Sequence, residues 1–181
     1  MGDHRLHAQQ ESDGQPSHVA HKASSVSLGC IVVTCSDTRT KDSDTSGKLI
    51  CHLLKEHGHV LKEYHLIKDE PEDITRLLKV AAQQIDKQVV IINGGTGISR
   101  RDSTFEAVDG FLQKRLDGFG ELFRYLSFQE IGSPSMLSRA TGGIHEHLVI
   151  FSIPGSEGAV RLAMEKLILP EMGHIAGELT K

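Results

Sequence analysis

The residues with chemistry to offer are a glycine-rich turn and three aspartates. Asn93-Gly94-Gly95-Thr96-Gly97 follows the short apolar run Val89-Val90-Ile91-Ile92 and leads into Ile98-Ser99-Arg100-Arg101-Asp102-Ser103-Thr104-Phe105-Glu106. Without Cβ atoms, Gly94, Gly95 and Gly97 can take positive φ and bring backbone N–H groups close to an anion, and Thr96 adds a hydroxyl. Ser103 and Glu106 fit an S-x-x-E capping box, which predicts a helix N-terminus just beyond the loop. Taken alone, the turn reads equally as a phosphate cradle or as a tight structural turn, and it is neither G-K-[S/T] nor G-x-G-x-x-G. Asp102 beside a phosphate is unfavourable unless a cation bridges the two, and Mg2+ prefers such hard oxygen ligands. A lone aspartate is more commonly a solvated turn residue. Asp37, Asp69 and Asp102, however, each follow a strand-like run, so they share one edge. There Asp69 and Asp102 could hold a metal that neutralises charge in phosphoryl or nucleotidyl transfer. Arg100 and Arg101 could clamp phosphates.

Such convergence needs strands that end together. Leu28 to Thr34, Val60 to Ile67, Val89 to Ile92 and Leu148 to Ile153 read as strands. Between them, Leu49, Ile50, Leu53 and Leu54 share a helical face that Gly58 stops. Ile74, Leu77, Leu78, Ala81, Ala82 and Ile85 form the clearest amphipathic helix, with Pro71 at its start. Further helices are predicted over 105–116, 119–126, 159–169 and 171–179, with a break at Pro134. Alternating strands and helices indicate an α/β fold with a mainly parallel central sheet, in which ligands sit beyond the carboxyl ends of the strands. The domain is placed at 27–181, behind a disordered arm over residues 1–26, whose His4, His7, His18 and His21 need no role beyond solubility.

The chain has 181 residues, a net charge of −4 and no apolar run long enough to span a bilayer. Neither nucleic acid nor membrane is expected as a partner, and a cytoplasmic location is. Cys30, Cys35 and Cys51 lack any C-x-x-C spacing and read as reduced thiols. Cys35 has no adjacent histidine to activate it, so packing is its expected role. His145 and His147 are expected at the surface.

The run at 93–106 resembles the T-G-G-T-G…R-D-x-T-x-E signature of the MoaB/MogA family of molybdenum cofactor biosynthesis proteins. Ser36-Asp37-Thr38-Arg39, Asp44-Thr45-Ser46-Gly47, the segment 118–124, Met136-Leu137-Ser138-Arg139-Ala140 and Pro154-Gly155-Ser156 agree with it, so the resemblance spans about 28–181. It implies a three-layer α/β/α fold, a homotrimer or hexamer, and contact with other cofactor-biosynthesis proteins. By the same resemblance the chain binds molybdopterin and MgATP, transfers AMP to the molybdopterin phosphate and releases pyrophosphate. Asp69 and Asp102 match its catalytic and Mg2+-binding positions; Gly94, Gly95, Thr96 and Gly97 its phosphate loop; Arg101 its neighbour; Ser36 and Asp37 the cleft; Pro154, Gly155 and Ser156 the pterin-facing loop. Asn93, Lys68 and Ser103 stand where the family usually has Thr, Pro and Val. Asn93 should keep a polar group in the cleft, and Ser103 should cap the helix better. A binding protein of the same fold with little turnover, and an unrelated nucleotide-binding domain, are the competing expectations.

Overall fold

In a computed structural model, residues 26–179 are described, so the arm and its four histidines lie outside the described residues apart from Val26. Six strands form one sheet: β1 (Gly29–Cys35), β2 (Val60–Ile67), β3 (Val89–Asn93), β4 (Lys114–Arg115), β5 (Thr141–His145) and β6 (Leu148–Ile153), in the order β2-β1-β3-β6-β5-β4. The first four are parallel, while β5 and β4 run antiparallel to their neighbours. The fold is therefore α/β with a mainly parallel sheet.

Residues along β1, β3 and β6 alternate between two cores, as the pleat requires. Cys30, Val32, Ile91, Phe151 and Ile153 pack against α1 (Thr45–Glu56), α4 (Asp117–Ile131), α5 (Glu157–Ala163) and α6 (Leu169–Glu178). Ile31, Val33, Ile92 and Ile150 face α2 (Pro71–Ala82) and α3 (Thr104–Phe111). Both faces are covered, which explains why these strands are continuous apolar runs rather than alternating ones.

Several expectations are corrected. Helix α3 stops at Phe111, and the chain then pairs as β4, too short to carry a pattern. Strand β5 was not predicted because Thr141-Gly142-Gly143 has no apolar signature. Its glycine is dictated by packing, since a methyl on Gly142 would sit 2.8 Å from Phe151, whose ring packs against Phe119. Helix α4 runs on to Ile131. Ile85, assigned to the buried face of α2, lies beyond the helix end and is 83% exposed. Pro170 does not break the helix: α5 and α6 join through a π-helical turn over Met164–Ile168, in which the Leu169 N–H donates to the Met164 carbonyl. The wider turn accommodates the proline ring, which would otherwise meet the carbonyl four residues back. His145 and His147 are half-buried rather than surface residues. The first stacks on Phe111 and bonds its carbonyl through Nδ1, and the second meets the Gln84 carbonyl through Nε2.

Strand β1 is followed in the chain by its neighbour on one side and later by its neighbour on the other, so the crossover direction reverses between β1 and β3. A crevice at the carboxyl ends of the strands follows from that switch.

Candidate functional site

A cavity of about 480 Å³ opens at this switch point, lined by residues from each loop that leaves the parallel strands. Cys35, Ser36, Asp37 and Arg39 come from β1, Asp69 follows β2, Gly94 to Gly97 with Arg101 and Asp102 follow β3, and Pro154 and Gly155 follow β6. Leu137 and Ser138 close one side. Of the residues singled out in the sequence for the cleft, Asn93, Arg100 and Ser156 do not line this space, and the others do. Ser156 instead caps α5, its Oγ accepting from the Ala159 N–H at 3.3 Å.

The glycine turn is shaped by close approach. Gly94 and Gly95 have φ of +99° and +59°, whereas Gly97 does not need the left-handed region. A methyl on Gly94 would sit 2.2 Å from the Cys35 carbonyl, and one on Gly95 2.1 Å from Asp69 Oδ2. Glycine is thus needed for backbone conformation and space together. The Gly94 N–H donates to the Ile153 carbonyl at 3.0 Å, stitching the turn to β6. The Gly95 carbonyl accepts from Thr104 N–H at 3.1 Å, and Arg139 takes the next two carbonyls, with Nε at 2.8 Å from Thr96 O and Nη2 on Gly97 O. No protein acceptor meets the N–H groups of Gly95, Thr96, Gly97 or Ile98 among the described residues.

Asp69 is buried, and its Oδ1 accepts from Ser103 N–H at 3.2 Å, Ser103 Oγ at 2.9 Å and Thr104 Oγ1 at 2.9 Å. These bonds fix the carboxylate and leave Oδ2 beside Gly95. They also replace the predicted capping box: Ser103 makes no side-chain cap bond, and Glu106 pairs with Arg139. Asp102 is held by the Ser99 N–H on its Oδ2 at 2.9 Å, next to Gly97. Asn93 is fully buried and donates to Val33 O and Thr34 Oγ1, outside the cavity lining.

Both lining arginines are already engaged. Arg101 bridges Asp37, 2.9 Å from its Oδ2, and Glu70, 2.9 Å from its Oε1. The Arg101 hydrogen bond holds the Asp37 carboxyl below its ordinary value, against the small opposing effect of burial. Arg39 reaches Asp44 Oδ1 at 3.2 Å and the Gly155 carbonyl at 2.7 Å, a carbonyl that Ser46 Oγ also contacts at 2.7 Å. Burial alone would raise the Asp44 carboxyl, but donors from Thr34, Tyr64 and Gly47 outweigh it and hold the group low. Burial pushes the Cys35 thiol up to about 12, so it stays protonated at neutral pH.

With three carboxylates and two already paired guanidiniums in the wall, a polyanion finds no spare cationic side chain here. Among the described residues, the unbonded amides of the turn are donors that this wall offers an anion. No group of three or more His, Cys, Asp or Glu side chains forms a metal cluster among the described residues. The donor set nonetheless suits Mg2+, which usually takes one or two carboxylates and completes its shell with phosphate oxygens and water.

The chain matches the family described as "Probable molybdopterin binding domain" over residues 31–174. Molybdenum cofactor biosynthesis protein B of Halalkalibacterium halodurans is 52% identical over 153 residues, covering 84% of this chain and 90% of that protein. A crystal structure of Molybdenum cofactor biosynthesis protein B aligns with a TM-score of 0.84 at 52% identity, covering 87% of this chain and 99% of that one. The tungsten cofactor synthesizing protein MoaB from Pyrococcus furiosus aligns with a TM-score of 0.77 at 35% identity, covering 86% and 98%.

Proposed function

The chain belongs to the molybdopterin-binding MoaB/MogA family, and from that premise we propose that it works in molybdenum cofactor biosynthesis as a molybdopterin adenylyltransferase. In this reading it binds molybdopterin and ATP with Mg2+, and a homotrimer or hexamer is its working form. The supporting observation is the cavity itself: Asp69 and Asp102 stand beside a glycine turn whose Gly95, Thr96 and Gly97 amides have no protein partner among the described residues.

The chemistry demands little of the side chains. An oxygen of the molybdopterin terminal phosphate attacks the α-phosphorus of ATP, a new P–O bond forms, the bond to the bridging oxygen breaks, and pyrophosphate leaves with the electron pair. No protein nucleophile is required, only alignment and charge neutralisation. The turn amides hold anionic oxygens, Ser36 and Pro154-Gly155 line the same cleft, and the hydrogen bonds to Asp69 Oδ1 fix its carboxylate with the other oxygen beside Gly95. Mg2+ bound by Asp69 and Asp102 would neutralise phosphate charge as pyrophosphate departs.

Incubation with molybdopterin and ATP should release pyrophosphate and form adenylylated molybdopterin, and removal of Mg2+ with a chelator should stop both. Pterin binding without pyrophosphate release would assign the chain to the carrier role instead, and absence of pterin binding would overturn the reading altogether.

A further inference from the structure

Arg139 lies outside the cavity lining, yet it touches more of the glycine turn than any residue that lines it. Its guanidinium donates to Thr96 O and Gly97 O, pairs with Glu106, and stacks over Phe105 with Cζ 4.7 Å from the ring centroid. The consequence follows from covalent geometry. In a trans peptide the C=O of one residue and the N–H of the next point in opposite directions, and no peptide bond among the described residues is cis. Pulling Thr96 O and Gly97 O toward the guanidinium therefore turns the N–H groups of Gly97 and Ile98 the other way. The Thr104 N–H does the same to the Thr96 N–H through Gly95 O. Three successive peptide planes are thus pinned, and the two held by the one guanidinium turn the Gly97 and Ile98 amides away from it together.

We propose that Arg139 is a positioning residue for phosphate binding, which acts by holding the Thr96 and Gly97 carbonyls so that the turn's amides converge on an anion. This rests on the phosphate-loop reading above. Arginine suits the task because its planar fork donates in two fixed directions at once, which a lysine cannot do. Phe105 and Glu106 hold the fork from the start of α3, so loop and helix move as one unit. A flexible glycine turn would otherwise lose conformational entropy when it orders around a ligand, and prior ordering removes that cost.

The test is calorimetric titration of magnesium pyrophosphate into the parent, Arg139→Ala, Arg139→Lys and Glu106→Gln proteins, alongside amide NMR of Thr96, Gly97 and Ile98. Arg139→Ala is expected to weaken binding tenfold or more and to abolish the ligand-induced shifts of the Gly97 and Ile98 amides, while the Gly94 amide, bonded to Ile153, is unchanged. Arg139→Lys and Glu106→Gln should each fall between parent and alanine. If Arg139→Ala binds as the parent does, or its Gly97 and Ile98 amides still respond as the parent's do, the role of Arg139 is overturned while the phosphate-loop reading stands. If the parent itself does not bind, the phosphate-loop reading fails first. Should the alanine variant not fold, the lysine variant decides, and parent-like affinity with parent-like shifts there would overturn the proposal.

Discussion

Asp44 shows how much a single buried carboxylate can organise. It accepts from Tyr64 at 2.5 Å, Gly47 N–H at 3.0 Å and Arg39 at 3.2 Å, and through Arg39 it sets the position of the Gly155 carbonyl in the cavity wall. Because its folded pKa is lowered, its contribution is fully present above the unfolded value, about 3.9, and is lost as pH falls through the folded value. Asp44→Asn should cost about 1–3 kcal/mol at pH 7, the scale for leaving a buried partner unsatisfied. Thermal unfolding of the two proteins should then converge as pH drops below about 4; a gap that stays constant down to pH 2 would contradict this. Asp69 and Asp102 were legible in the sequence because each stands beside a strand end or the glycine run. Arg139 and Arg39 were visible only within motifs quoted for the family resemblance. The backbone carbonyls they hold lie 42 or more positions away, and a carbonyl leaves no mark on residue type.

Among the elements, the turns show where residue type and backbone conformation are locked together. Gly58 and Gly95 both have positive φ, but a methyl at Gly58 would meet open space, whereas one at Gly95 would collide with Asp69 Oδ2 and Thr104 Oγ1. Gly58→Ala should therefore cost about 1 kcal/mol, the conformational term alone. Gly95→Ala adds a clash to that strain and should cost about 2–4 kcal/mol with loss of pyrophosphate binding. Denaturant melts of both variants check the order, and equal costs would show that space at Gly95 is not limiting. Strands β1, β3 and β6 and helix α2 were readable because continuous apolar runs and a 3.6-residue period survive translation into packing. Strands β4 and β5 were not, since one has two residues and the other owes Gly142 to the Phe119 and Phe151 rings and Gly143 to the close approach of the Lys114 carbonyl. The π-helical turn has no compositional signature either. The failed capping box is instructive: Ser103 has the right type and spacing, but the Asp69 carboxylate competes for its hydroxyl and wins.

For the molecule as a whole, the parallel half of the sheet does the positioning. Strands β2, β1, β3 and β6 end at one edge, and their loops bring Asp69, Asp37, Asp102 and Gly155 to one cavity from points spread over 119 residues of sequence, 37 to 155. That edge was legible from strand and helix alternation, while the antiparallel end β5-β4 was not. Helix α4 leaves Leu122, Tyr125, Phe128 and Ile131 more than half exposed at three-residue spacing, the kind of apolar stripe that suits self-association. No helix among the described residues is long and apolar enough to cross a membrane. In the proposed reaction, a cation held by the two carboxylates, together with the turn amides, neutralises a nucleotide's phosphates during transfer to molybdopterin. The most direct measurement is the single-turnover rate of pyrophosphate release from MgATP and molybdopterin, in the parent and in Asp102→Ala, with the melting temperature of each recorded. The account predicts a rate loss of about 100-fold or more, the scale for removing one transition-state charge partner, with little change in melting temperature because Asp102 packs against little but its own turn. An Asp102→Ala protein that folds and turns over at the parent rate would contradict it.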